Sequence, residues 1–154
     1  MRELKFRVWD TTRKKFIIDF VLSPDGYVMC EGSPHLYYEG MHETKIELIQ
    51  YTGLKDKNGK EIYEGDILCC PHYPANGSWH YLYHKVMWDE KLAIWKTVSI
   101  GNKEGEEITA HGNPPLWVYI KAEKEFEIIG NIYENPELLN AEQNAQESDT
   151  TEAK

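Results

Sequence analysis

The sequence has few cysteines and no long hydrophobic run. Its 154 residues include three cysteines, of which Cys69 and Cys70 are adjacent. An odd set with two neighbours is a poor disulfide framework and is typical of a reducing cytosol. No apolar run approaches the roughly 20 residues that cross a bilayer, and residues 1–5 lead into an alternating pattern instead of a signal peptide's apolar block. We therefore expect an intracellular protein that is not bound to a membrane.

Catalytic motifs are also missing from the sequence. No serine lies in a Gly-x-Ser-x-Gly setting, and no cysteine region carries a flanking protease signature. Gly101, Gly105 and Gly112 punctuate a loop, but they lack the strand-to-helix context and the lysine that a phosphate site needs. These absences predict a protein without enzymatic activity and without a cofactor.

Basic residues are scarce except at the N-terminus. The formal net charge is −9, and residues 137–154 contribute −4 of it through five acidic residues and one lysine. Residues 1–15 carry six basic and two acidic residues, a net of +4. An acidic body disfavours broad contact with a phosphate backbone. Nucleic acid is therefore an improbable partner, which could bind only at an N-terminal hairpin through Lys5, Arg7, Arg13, Lys14 and Lys15 with Trp9.

Period-two alternation of apolar and polar residues dominates the chain and predicts strands. Residues 4–9 and 15–22 form a hairpin around a turn at 10–14, and further short strands follow. Their spacing suggests a small SH3-like β-barrel seeded by residues 46–100 and completed by 116–133. A short helix is expected after Pro136, and residues 140–154 offer almost no apolar surface. The fold class is mainly β, of α+β type: an N-terminal β-meander, the barrel, a short C-terminal helix and a disordered acidic tail, with residues 1–139 as a single domain.

Two segments, 50–68 and 125–139, are dense in turn chemistry. Asn58-Gly59 between apolar alternations signals a tight hairpin, since both residue types tolerate positive φ. Asn135, followed by Pro136, has the pattern of a helix N-cap. Both segments are interpreted as structural framework.

Three blocks carry a family resemblance: ELKFRVWD at 3–10, QYTGLKDKNGKEIYEGDI at 50–67 and IGNIYENPELL at 129–139. Together they resemble the YopX family of phage and prophage proteins. The resemblance implies a phage or prophage origin, expression in the cytoplasm of a bacterial host, and self-assembly. It supplies no activity, because the family is largely uncharacterised. Residues 71–84 look like an insertion relative to the family's usual form.

The best candidate for metal chemistry is a group of cysteines and histidines around that insertion. Thiolate and imidazole are natural zinc ligands. However, the spacing fits no standard zinc motif, and adjacent cysteines on a strand point to opposite faces. His80 and His84 would converge on a helix but not on a strand. We predict no bound metal; the candidate ligands would be Cys69, Cys70, His72, His80 and His84.

Aromatic residues suggest contacts with other proteins. Five tryptophans and ten tyrosines exceed what a core of this size would bury, and such side chains are enriched at interfaces. The structural interpretation of the Gly65-Asp66 turn is preferred, but an exposed barrel face with Tyr51, Tyr63 and Trp88 could dock a peptide. We expect a homo-oligomer that acts through protein contacts, with a host protein as a further partner. The alternatives are a nucleic-acid-binding accessory protein and a metal-dependent enzyme on the 69–84 loop.

Overall fold

The computed structural model describes residues 3–24, 28–30, 36–37, 46–72, 80–102, 115–116 and 126–140. The chain divides into two compact units, residues 1–51 and residues 52–154. Within the described ranges the secondary structure is mainly strands, with one 3₁₀ helix, an isolated β-bridge between Lys96 and Pro115, and one α-helical residue, Leu116. The strands are β1 (Phe6–Asp10), β2 (Lys15–Ile17), β3 (Phe20–Leu22), β4 (Val28–Cys30), β5 (Leu36–Tyr37), β6 (Ile46–Lys55), β7 (Glu61–Tyr63), β8 (Asp66–His72), β9 (His80–Asp89), β10 (Ile94–Asn102) and β11 (Glu127–Asn131), and the 3₁₀ helix is Pro136–Asn140.

The first unit contains two small antiparallel arrangements. In one, β1 pairs with β2 and with the first half of β6. Val8 and Ile49 are buried, and Trp9 packs edge-on against Phe16 with ring centroids 4.9 Å apart. In the other, β4 lies between β3 and β5. The expected hairpin at residues 4–22 is confirmed, although its second arm is interrupted between β2 and β3.

The second unit contains an antiparallel sheet in the order β10-β9-β8-β11. The last residues of β6 and the strand β7 form a hairpin on either side of the Asn-Gly turn. Every second side chain of a strand points to the same face, and apolar side chains on such positions pack into one cluster. Their removal from water stabilises the unit. The members of the cluster are Ile62, Leu68, Cys70, Leu82, Val86, Trp95, Leu116 and Phe126.

Several segments differ from the sequence-based expectation. Residues 60–70 form two strands, β7 and β8, and the turn expected near Gly65-Asp66 lies between them at Glu64 and Gly65. Strand pairing extends into the supposed insertion, since β8 continues to His72 and β9 begins at His80. The C-terminal helix is a single five-residue 3₁₀ helix. The acidic tail from residue 141 and most of 103–125 lie outside the described residues. The single-domain assignment of 1–139 stays a prediction.

No helix in the described ranges is long and apolar enough to cross a bilayer.

Candidate functional site

The Asn-Gly turn is attached to β11 through Asp56. Its carboxylate Oδ1 accepts backbone N–H groups of Asn58 and Lys60, each at 2.9 Å, and Oδ2 accepts the amide of Ile128 at 3.2 Å. The Lys57 amide donates to the Phe126 carbonyl at 2.9 Å. The buried Asp56 carboxylate therefore joins the 50–68 segment to the 125–139 segment through hydrogen bonds.

The hairpin itself uses one residue with positive φ, not two. Gly59 has φ +81°, whereas Asn58 is not in the left-handed region. The expectation that both residues adopt positive φ is wrong, because the Gly59 amide closes a turn on the Asp56 carbonyl at 3.0 Å. The Asp56 carboxylate supplies the remaining hydrogen bonds, so the loop needs only one left-handed position.

The Gly65-Asp66 turn meets the segment that follows β11. The Gly65 amide donates to the Val86 carbonyl at 2.9 Å, and the Ile132 amide donates to the Gly65 carbonyl at 2.9 Å. Asp66 is buried, and its Oδ2 accepts the Tyr63 amide at 2.8 Å. These are the contacts of a structural element, as the preferred interpretation of this turn required.

A second turn follows β11 and is organised by Asn131. Its Oδ1 accepts the amides of Tyr133 at 3.0 Å and Glu134 at 2.8 Å, and its Nδ2 donates to the Glu134 carboxylate at 2.8 Å. The Asn135 side chain instead points back, with Oδ1 3.4 Å from the Asn131 amide and Nδ2 donating to Glu137. The prediction of Asn135 as a side-chain N-cap is therefore wrong, and Asn131 accepts the turn amides.

The aromatic docking face expected at Tyr51, Tyr63 and Trp88 is not exposed. Tyr51 and Tyr63 are buried at inward positions of β6 and β7, and the Tyr63 hydroxyl donates to Glu61 at 2.9 Å. Trp88 is half-buried and packs edge-on against Trp95, with centroids 5.0 Å apart. That expectation is wrong for the two tyrosines, since alternation along short strands did not reveal which face is covered.

In the basic N-terminal hairpin, the aromatic residue Trp9 is buried. Trp9 is 3% exposed, so its ring offers no free face on which a base could stack. Lys5 forms an ion pair with Glu3 at 3.2 Å and lies 5.7 Å from the Tyr51 ring centroid. Arg7 is half-buried, and its register partner on β6 is Ile49.

Asp10 anchors the tip of this hairpin. It is buried, its Oδ1 accepts the amides of Thr12 and Arg13, and its Oδ2 accepts the Arg13 guanidinium at 2.9 Å. Burial raises the pKa of Asp10, but the hydrogen bonds and the positive charge of Arg13 outweigh it, so the net pKa lies below the ordinary value. The carboxylate therefore stays ionised at neutral pH.

The cysteines occupy neighbouring positions of β8. Cys69 pairs in register with Tyr83 and Cys70 with Leu82, so alternation sends them to opposite faces. Cys70 is buried in the core and Cys69 is half-buried. This arrangement prevents the two thiolates from sharing one ion.

The histidines are spread along β8 and β9. His80 and His84 lie on one strand, roughly 13 Å apart at the rise of extended chain, and His84 is buried with its ring 6.3 Å from that of Phe126. The register places His72 opposite His80, which the sequence could not reveal because it depends on the hairpin's loop length. In the described part of the chain, no three His, Cys, Asp or Glu side chains gather as a metal site.

Two buried polar groups escaped sequence reasoning. Trp95 Nε1 and Thr97 Oγ1 have no hydrogen-bond partner among the described residues, and both side chains are buried on β10. The sequence shows that Trp95 and Thr97 alternate with Lys96 and Val98 along the strand. It does not show that the face with Trp95 and Thr97 is the buried one.

Comparison with known proteins agrees with the order of these motifs. Residues 5–140 match the profile described as YopX protein. The crystal structure of protein EF1440 from Enterococcus faecalis is similar, with 27% identity, a TM-score of 0.54, and coverage of 90% of this chain and 99% of that one. No curated protein matches. Since the match spans most of the chain, with residues 5–10 of the first sequence block and all of the other two, this protein belongs to the YopX family.

Proposed function

We propose that this protein is a non-enzymatic phage or prophage accessory protein that acts through protein–protein contacts in the cytoplasm of a bacterial host. The proposal rests on what the polar residues in the blocks that resemble the family do in the structure. Asp56, Asp66 and Asn131 are buried and hold backbone amides of their own chain. Groups so engaged are poorly placed to bind substrate, which supports a scaffold and not a catalytic centre.

Self-association is the first contact we propose. Single exposed apolar residues are normal on a monomer, whereas contiguous apolar patches are typical of interaction surfaces. The large exposed apolar residues in the described ranges are Leu4, Ile18, Val21, Met29, Leu48, Tyr81, Leu92, Ile129 and Leu139. A host protein is the second contact, and the net charge of −9 favours a basic one.

We also infer that the second unit has the architecture of a small SH3-like barrel. The four-stranded antiparallel sheet and the hairpin of β6 and β7 supply the strands such a barrel needs. The bulge between Ser99 and Gly101 and the one between Ile128 and Gly130 support this inference, since bulges bend strands in curved sheets.

Affinity capture separates the protein-contact proposal from nucleic-acid binding. The full chain is immobilised and exposed to bacterial lysate with and without nuclease. A matched bait carries Lys14→Glu and Lys15→Glu at the exposed hairpin tip. We expect the same host protein on both baits, resistant to nuclease. Capture that disappears with nuclease or with the charge reversal, and weakens steeply with salt, would overturn the proposal in favour of nucleic acid.

A further inference from the structure

An apolar patch lies on β3 and β4. We define the β3 patch as Val21 and Met29, which are 58% and 38% exposed. Val21 and Met29 are register partners, so their side chains share one face of the sheet formed by β3, β4 and β5. The opposite face is covered, since the neighbouring Val28 is 2% exposed.

The patch is bordered by an open strand edge. In the part of the chain that the structure describes, β3 pairs with β4 and lies at the margin of its sheet. A strand in that position presents backbone N–H and C=O groups that a further strand can pair with. None of the three residues of β3, Phe20 to Leu22, is charged or proline, but the short length of this strand limits how much backbone it offers for pairing.

The charge distribution indicates which partner fits. The first unit has seven basic and eight acidic residues, whereas the second has ten basic and eighteen acidic residues. Two copies of a chain with charge −9 repel each other, and this repulsion is weakest where nearly neutral surfaces meet. A basic protein would be attracted to the second unit instead. The near-neutral unit therefore favours a second copy of this chain over a basic partner.

We propose that the β3 patch is a self-association surface on which the same patch of a second copy packs. This inference rests on the proposed self-association and adds its location. Patch-to-patch packing is isologous, so one substitution alters both sides of the interface at once. It covers Val21 and Met29 on the exposed face of the sheet.

Light scattering at tens of micromolar tests this location with three full-length chains. They are the wild type, Val21→Glu, and the control Leu92→Glu, which places the same charge on an exposed apolar residue of the second unit. We expect a multiple of 18.0 kDa for the wild type and the control, and a fall to 18.0 kDa for Val21→Glu. Circular dichroism checks that each chain is folded, and Met29→Lys replaces Val21→Glu if that variant is not.

The outcomes distinguish the two proposals. A wild type of 18.0 kDa would overturn self-association itself. A folded Val21→Glu or Met29→Lys chain that keeps the wild-type mass would overturn the β3 patch but leave self-association standing. If only the Leu92→Glu chain fell to the monomer mass, the interface would lie in the second unit, and this result would contradict the inference.

Discussion

At the scale of single residues, one local device recurs at four turns. Asp10, Asp56, Asp89 and Asn131 each accept the backbone amide of the residue two positions later with a side-chain oxygen. Aspartate and asparagine do this readily, and so mimic a backbone turn. Acidic residues that look like solvated loop positions in the sequence are therefore structural.

The first prediction concerns the acid sensitivity of Asp10. Because its pKa is lowered, its ionised form stabilises the fold above the unfolded-state value, and this contribution is lost as pH falls through the folded-state pKa. We expect Asp10→Asn to lower the free energy of unfolding at pH 7, and we expect this difference from the wild type to shrink as pH falls from the ordinary pKa of 3.8 through the lower folded-state pKa. Urea denaturation at several pH values measures this, with exposed Asp19→Asn as the control. A deficit that grows on acidification would contradict it.

The second prediction compares two buried threonines. Thr52 Oγ1 donates to the Ile62 carbonyl at 2.7 Å, whereas Thr97 Oγ1 has no partner in the described ranges. Thr97→Val should be neutral or stabilising, within about 1 kcal/mol, because it removes an unsatisfied hydroxyl. Thr52→Val should cost about 1–3 kcal/mol, because it leaves a buried carbonyl without its donor. Equal losses in denaturant titrations of both variants would show that the Thr97 hydroxyl is satisfied.

The third prediction concerns the cysteines and histidines. Elemental analysis of protein purified without a histidine tag should find less than about one-tenth of an equivalent of zinc, because Cys69 and Cys70 face opposite ways on β8 and cannot complete a tetrahedral site. Stoichiometric zinc that is lost on His80→Ala would contradict this and make the β8–β9 hairpin the functional site.

At the scale of elements, the two signature segments depend on each other. Gly65 has φ +78°, and a Cβ there would lie 2.9 Å from Tyr133 Cε2 and 3.1 Å from Ile132 Cγ1. Gly130 is similarly restricted, since its Cβ would lie 2.5 Å from Asn135 Oδ1. Gly65 thus allows the turn before β8 to pack closely against the segment after β11, and Gly130 allows that segment to fold back on β11.

The fourth prediction separates backbone strain from this close packing. Gly59→Ala has strain at φ +81° but nothing within 4 Å of the new Cβ, so it should cost about 1 kcal/mol. Gly65→Ala has both strain and overlap with Tyr133, and it should cost about 2–4 kcal/mol. Thermal or chemical unfolding measures both. Equal costs would show that the contact of Gly65 with the segment after β11 is not tight.

The sequence predicted element types better than their partners. Alternation located the strands, and Asp-Lys-Asn-Gly located the hairpin, because both signals are local. The sequence could not predict that the Asp56 carboxylate accepts a hydrogen bond from the Ile128 amide. Nor could it predict that Trp95 and Thr97 are buried, or that His72 lies opposite His80. Those facts depend on register and on which face is covered, and both are set by distant parts of the chain. The side-chain cap expected at Asn135 is absent because the Asn135 Oδ1 faces the Asn131 amide instead.

At the scale of the whole molecule, charge and apolar exposure are unevenly divided. Five of the nine large exposed apolar residues of the described ranges lie in the first unit, which is nearly neutral. The second unit carries the signature turns and most of the net negative charge. We therefore propose that the second unit is the framework and that the first carries the surface for self-association.

The fifth prediction, on assembly, is the most direct test of an accessory protein that acts through its own contacts. Light scattering on the wild-type chain at tens of micromolar, in low and physiological salt, should give a multiple of 18.0 kDa. Salt should preserve or strengthen the assembly, since it screens repulsion between acidic copies. A chain without residues 141–154 should give the same multiple, because these residues offer little apolar surface. A mass of 18.0 kDa for the wild type at both salt concentrations would contradict the account.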